Sequence, residues 1–305
     1  MICLAPELAP GVFSSNNPMS DSFNQVETNA QTGKSFLVRV LRQDGPGQRR
    51  YWERHRVAYE PNMNCISVLQ KIAEGAVTVE GKRVAPVAWE CNCLEEVCGA
   101  CTMIINGRVR QACTALVDQL LADRPGEIEL RPVSKFPVIR DLLVDRARMF
   151  ACLEKILAWL PVDSYLDMGS GPRQSQETQQ MAYLYSKCMT CGCCLEACPQ
   201  FLLIELKRKP GESDEEYRAR QRVANMRSFM GAHAIAQVEL FNSNPTGAMN
   251  SYERLEALVA EGGIQTCGNA QNCVKVCPKE IPLTTAIGRA GRAATLHTMR
   301  KWFDR

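Results

Sequence analysis

Apolar and polar residues alternate from Lys34 onward. Phe36, Val38 and Val40 stand between polar neighbours, the period-two pattern of a half-buried strand. A Gly-Pro-Gly turn at 45–47 follows, and Tyr51 to Tyr59 reads as the return strand of a hairpin. Val68, Leu69 and Ile72 give Ser67–Glu74 the apolar face of a short helix, with Gly75 as its stop. Met103-Ile104-Ile105 runs into Asn106-Gly107, a strong two-residue hairpin signal. Residues 127–133 alternate again as a closing strand. These elements predict a small mixed sheet over 34–145.

From about residue 146 the period changes. Met149–Leu160 is amphipathic and ends before Pro161. A Gly/Pro/Ser-rich linker is expected at 169–175, and helices over 176–187, 215–241, 251–261 and 282–303. The expectation is therefore an α+β chain, with a helical domain at 146–305. Residues 1–33, rich in Asn, Ser, Gln and Pro without an apolar period, are expected to be a disordered tail. The mixed charge run at 206–222 reads as a solvated helix or loop face.

The 305 residues suit two ordinary domains. A net charge of +3 gives no footprint for nucleic acid. No apolar run reaches the roughly 18 residues of a membrane span. The N-terminus lacks the basic and apolar regions of a secretory signal, so a reducing, cytoplasmic setting is expected. In that setting 16 cysteines point to metal ligation and not to disulfides. The three histidines, His55, His233 and His297, stand outside the cysteine groups, which argues against Rieske-type ligation.

The cysteines form three groups. Cys93-x4-Cys98-x2-Cys101, followed by Cys113 across the Asn106-Gly107 hairpin, has the plant-type [2Fe–2S] spacing. Gly99 between two ligands lets the backbone approach the inorganic sulfides. Cys91 competes for ligation but falls outside the pattern. Structural zinc is the rival, but only one short hook is present.

Further on, Cys188-x2-Cys191-x2-Cys194-x3-Cys198-Pro199 is a full bacterial-ferredoxin row. A second row has Cys267, Cys273 and Cys277-Pro278, with Ala270 where a cysteine would complete it. In such rows the fourth cysteine ligates the other cluster. Cys188, Cys191, Cys194 and Cys277 then hold a [4Fe–4S] cluster, while Cys198, Cys267 and Cys273 hold a [3Fe–4S] cluster. Cys193 beside Cys194 is an adjacent ambiguity, which spacing resolves toward Cys194. Cys65 and Cys152 read as small core groups. Cys3 has no assigned role.

The order of these groups resembles the iron–sulfur subunit of succinate dehydrogenase and fumarate reductase. The resemblance is carried by Trp89–Cys101, Ser186–Pro199, Cys267–Thr284, Asn242–Gly247 and Arg254–Gly263. It is nearest to the menaquinone-linked form with a single dihaem cytochrome b anchor. It implies a plant-type ferredoxin β-grasp domain followed by an all-α bacterial-ferredoxin-like domain. It also implies an FAD flavoprotein partner, a cytochrome b membrane anchor carrying haem b, menaquinone reached through that anchor, and a place on the cytoplasmic face of the bacterial membrane. Electrons would pass from succinate oxidation on the flavoprotein through the three clusters. The reverse flow of a fumarate reductase, or a soluble carrier serving several enzymes, are the competing readings. Ubiquinone-reducing relatives carry a tryptophan shortly after the crossing Cys-Pro and a histidine after the first cysteine of the last row. This chain has Gln200-Phe201-Leu202-Leu203 and Gly268 there.

Overall fold

The computed structural model describes residues 34–161 and 173–303. The expected tail at 1–33 and most of the expected linker lie outside the described residues. Strands β1 (Ser35–Arg42) and β2 (Tyr51–Ala58) pair antiparallel from Ser35↔Ala58 to Arg42↔Tyr51. Phe36, Val38 and Val40 turn inward, as the alternation requires. Helix α1 (Cys65–Gly75) begins where the Asn64 side chain accepts a hydrogen bond from the Ser67 amide at 2.9 Å. It ends one residue later than expected, with Ala76 and not Gly75 beyond its last turn, in the left-handed conformation at φ 47°.

Strands β3 (Thr102–Ile105) and β4 (Arg108–Gln111) are joined by Asn106 and Gly107, both at positive φ, so the turn follows the twist of its strands. Helix α2 (Val117–Asp123), which the pattern did not announce, leads to β5 (Glu127–Arg131). The sheet order is β2-β1-β5-β3-β4, with β1 and β5 parallel and the other pairs antiparallel. Val38, Val40, Leu69, Met103, Ile128 and Leu130 fill the core between sheet and helix. Fully buried Asp141 accepts from the Ala88 amide at 2.9 Å and from Arg42 Nε at 2.8 Å. That pins the chain just before the first cysteine loop.

A short hairpin, β6 (Val138–Arg140) with β7 (Leu143–Val144), precedes the helices. Helix α3 (Ala147–Lys155) stops before the expected Leu160. There Leu157 turns left-handed at φ 49°, and the buried Arg254 guanidinium takes the Leu157 and Trp159 carbonyls at 3.1 and 2.9 Å, holding the non-helical stretch in place. Helices α4 (Gln176–Ser186) and α5 (Cys193–Glu196) follow. The expected helix over 215–241 is two helices, α6 (Asp214–Arg227) and α7 (Gly231–Ser243). At the break, the Met230 amide donates to the Gly262 carbonyl at 2.9 Å, and Gly231 has φ 80°. The charged run at 206–222 is largely exposed, and Ser213 and Glu216 close a capping box at the start of α6.

Helices α8 (Ser251–Val259), α9 (Asn272–Lys275) and α10 (Leu283–Phe303) complete the order. Leu195, Phe201, Ile235, Val238, Ala286 and Ala290 belong to the second core, which also takes Phe136, Val138 and Val144 from the segment before the helices. The single-turn helices α5 and α9 occupy matching places in the two cysteine rows. Asn272 Nδ2 donates to the Ala197 carbonyl at 3.1 Å, tying one row to the other.

Candidate metal centres

The first cysteine loop, 93–101, is shaped by left-handed residues: Leu94 (φ 62°), Glu96 (φ 56°) and Gly99 (φ 72°). These turns aim backbone amides at sulfur. The amides of Glu95, Val97 and Cys98 lie 3.4, 3.3 and 3.3 Å from Cys93 Sγ, and together they bring its thiol down to about 7. The Ala100 amide lies 3.4 Å from Cys98 Sγ. Across the β3–β4 hairpin the Ala112 amide donates to the Cys101 carbonyl at 3.1 Å, which brings the Cys113 end of the hairpin against Cys101. Burial pushes the Cys101 thiol up to about 12. Cys91 is exposed. Arg146 donates to the Gly99 carbonyl at 2.6 Å and also to that of Ala100, clamping the loop onto the start of the helical half.

Gly99 has a second steric duty besides the one read from its spacing. A Cβ there would lie 2.7 Å from Cys191 Cα and 3.0 Å from the Met189 carbonyl oxygen. The first loop therefore rests directly on the row that begins at Cys188.

Cys188, Cys191, Cys194 and Cys277 line one cavity, with Cys193 and His233 in its wall. Burial, then the charges of Cys191, Cys188 and Cys277, raise the Cys194 thiol well above the ordinary range. Burial also raises Cys188. Cys191 is lowered, chiefly by a hydrogen bond from Cys193. Burial brings His233 down to about 4, so its ring is neutral near pH 7. Cys198, Cys267 and Cys273 line a separate cavity with Ala270. Burial and the neighbouring charges of Cys198 and Cys267 raise the Cys273 thiol. The same cavity takes Gln200 and Gly268. A Cβ on Gly268 would lie 2.9 Å from Gln200 Nε2, so the residue after Cys267 packs against the residue after Cys198-Pro199.

Among the described residues no group of three or more His, Cys, Asp or Glu side chains is arranged to hold a single metal ion. In the helical half the thiols surround cavities and not a point. Sulfur-only donor sets, with amides directed at sulfur in the first loop, fit polynuclear iron–sulfide groups. Cys65 and Cys152 are core residues; burial pushes their thiols to about 12 and about 11. The spacing gave no notice of Arg146, His233 or Gln111. Only a buried polar residue two places before Cys113 hints at the last.

This combination defines a multi-cluster iron–sulfur electron-transfer protein. Residues 37–151 match the profile of a 2Fe-2S iron-sulfur cluster binding domain, and residues 184–281 that of a 4Fe-4S dicluster domain. The chain is 49% identical over 270 residues to the succinate dehydrogenase iron-sulfur subunit of Bacillus subtilis, covering 88% of this chain and 96% of that protein. It is 25% identical over 259 residues to the fumarate reductase iron-sulfur subunit of Wolinella succinogenes, covering 84% and 95%. The solved Mycobacterium smegmatis Sdh1 complex in the apo form contains a chain of like fold, with a TM-score of 0.64 and 21% identity over 86% of this chain and 96% of that one. The chain belongs to the iron–sulfur subunit family of succinate dehydrogenases and fumarate reductases.

Proposed function

We propose that this chain is the electron-transfer subunit of a succinate:menaquinone oxidoreductase. It connects an FAD flavoprotein, where succinate is oxidised, to a haem-bearing cytochrome b anchor and menaquinone. The groups bound in its three sites supply one-electron redox steps, which a hydride donor requires when its pair is split. Cys93, Cys98, Cys101 and Cys113 hold [2Fe–2S]. Cys188, Cys191, Cys194 and Cys277 hold [4Fe–4S]. Cys198, Cys267 and Cys273 hold [3Fe–4S]. The first group belongs to a domain at 34–145, the others to a domain at 146–305.

The observation that carries this reading is the crossing of the rows. Cys277 joins the cavity of the first row, and Cys198 joins the cavity of the second, where Ala270 offers no sulfur. Loop amides and Arg146 order the first site. Burial of Cys101, Cys194 and Cys273 leaves those thiols dependent on bound metal to ionise. Among the described residues no helix is long and apolar enough to cross a membrane. Attachment to the cytoplasmic face is assigned to the anchor subunit. With Gln200-Phe201-Leu202-Leu203 and Gly268 in the stretches where ubiquinone-reducing relatives carry the tryptophan and the histidine, quinone chemistry is assigned to the anchor as well.

Anaerobic purification of the native assembly tests the reading. About nine irons per chain, two, four and three, are expected together with flavin and haem on companion subunits. A colourless, zinc-bearing preparation, or a chain that fractionates alone, refutes it. The fumarate reductase relatives support reversed flow as a second reading. Rates with succinate and with fumarate plus a menaquinol analogue distinguish the two directions.

A further inference from the structure

A buried cation stands behind the three-thiol cavity with no anion to balance it. Arg148, on α3, is 4% exposed. Its guanidinium lies 3.6 Å from the centre of the Phe201 ring. It donates to the Leu202 carbonyl and, at 3.2 Å, to that of Phe229, while its Nε has no partner. Cys152 lies one turn further along α3, close enough to act on its charge. Among the described residues no carboxylate forms an ion pair with it. Burial brings the guanidinium down only to about 10, so it stays charged near pH 7.

The cavity is close at hand. Phe229 lines it together with Cys198, Cys267, Cys273 and Ala270. The Phe201 amide donates to the Cys198 carbonyl at 3.3 Å, so the ring under the guanidinium belongs to the turn that carries a ligand. Two other buried arginines set the comparison. Arg42 is neutralised by Glu53 and, at 2.8 Å, by Asp141. Arg254 also lacks an anion, but its oxygen partners come from Leu157, Trp159, Asn242 and Gly247, none of which lines a cysteine cavity. Of the three, Arg148 alone sets an unbalanced charge against a cavity wall. Such a charge is costly to bury, and two carbonyls by themselves call only for a neutral donor.

We propose that Arg148 is a positioning residue for electron transfer, its unbalanced charge raising the reduction potential of the group held by Cys198, Cys267 and Cys273. The inference deepens the proposed function and rests on its ligand assignment. Reduction adds one electron and makes the site more negative by one charge; no bond is made or broken. A fixed cation nearby favours that added charge, and a dry interior screens it weakly. Acting across a packed side chain, it shifts the one-electron equilibrium roughly tenfold. A higher potential holds electrons on the three-thiol site once they reach it.

An EPR-monitored redox titration of the intact complex carrying Arg148→Gln tests this. Glutamine keeps a donor and removes the charge. The potential of the three-iron signal is expected to fall by the equivalent of a tenfold change, about 59 mV for one electron. A smaller fall is expected at the four-thiol site, whose wall holds His233. Arg148→Lys keeps the charge but loses the planar fork, so its three-iron potential should stay near wild type. A residue acting only through its hydrogen bonds would give both variants the same shift. That result, or an unmoved potential in Arg148→Gln, overturns the proposal. Should Arg148→Gln not retain iron, Cys152→Asp supplies an anion to the intact arginine and Cys152→Asn is its neutral control. The three-iron potential is expected to fall in the first only, and equal potentials in the two overturn the proposal. Absence of a three-iron signal from the wild type would instead defeat the ligand assignment.

Discussion

Replacing Gly99 with alanine tests the contact between the first loop and the row that begins at Cys188. Two costs combine. At φ 72° a Cβ meets left-handed strain of roughly 1–2 kcal/mol. The new methyl would also lie 2.7 Å from Cys191 Cα and 3.0 Å from the Met189 oxygen, backbone atoms that no rotamer change can move. Overpacking of that kind costs about 1–3 kcal/mol. Gly81 supplies the control. Its φ is 78°, yet a Cβ there has nothing within 4 Å, so Gly81→Ala carries the strain without the collision. The difference between the variants is the contact itself, about 1–3 kcal/mol. At about 2–4 °C per kcal/mol, the Gly99→Ala complex should melt roughly 2–12 °C below Gly81→Ala in differential scanning calorimetry. Equal melting temperatures with equal iron content would refute the close approach of the two cysteine segments.

Two further outcomes follow from the helical half. Ala270→Cys places a fourth sulfur on the three-thiol cavity and is expected to replace the oxidised three-iron EPR signal with a four-iron one; an unchanged signal would break the alignment of the rows. Glu256, bound by Lys301 and His297, has its carboxyl held below the ordinary value, first by the Lys301 hydrogen bond and then by that of His297. Its contribution to anchoring the end of α10 is therefore complete above the usual glutamate range and is lost as pH falls through the lowered folded value. Amide protection of residues 296–303, taken relative to the intrinsic exchange rate at each pH, should fall there in the wild type and show no such step in Glu256→Gln.

Local chemistry was legible where it decided the outcome. The alternation at Phe36, Val38 and Val40 and the Asn106-Gly107 turn each specify their conformation within a few residues, and both formed as read. Spacing alone grouped Cys277 with Cys188, Cys191 and Cys194, and Cys198 with Cys267 and Cys273, because ferredoxin-type rows carry that rule in their pattern, and each group lines one cavity. What escaped was set by distant groups. Helix α3 ends early at a left-handed Leu157, in a stretch held by Arg254, about 100 residues further on, through the Leu157 and Trp159 carbonyls. Helices α6 and α7 separate because a backbone amide reaches Gly262. Gln111 reads as an ordinary strand residue until the fold sets it between Cys101 and Cys193. A one-dimensional pattern records periods and spacings, and none of these partners shares a period with the residue it governs.

The crossing of the rows also has a timetable. Cys188 and Cys277 share a cavity but leave the ribosome about 90 residues apart, a delay of roughly 5–18 s at typical rates of synthesis. Throughout that interval the early thiols wait without their last companion. Completion of the four-thiol cavity therefore waits until Cys277 has emerged, and a nascent chain cut short before Cys273 leaves both cavities of that half short of a sulfur.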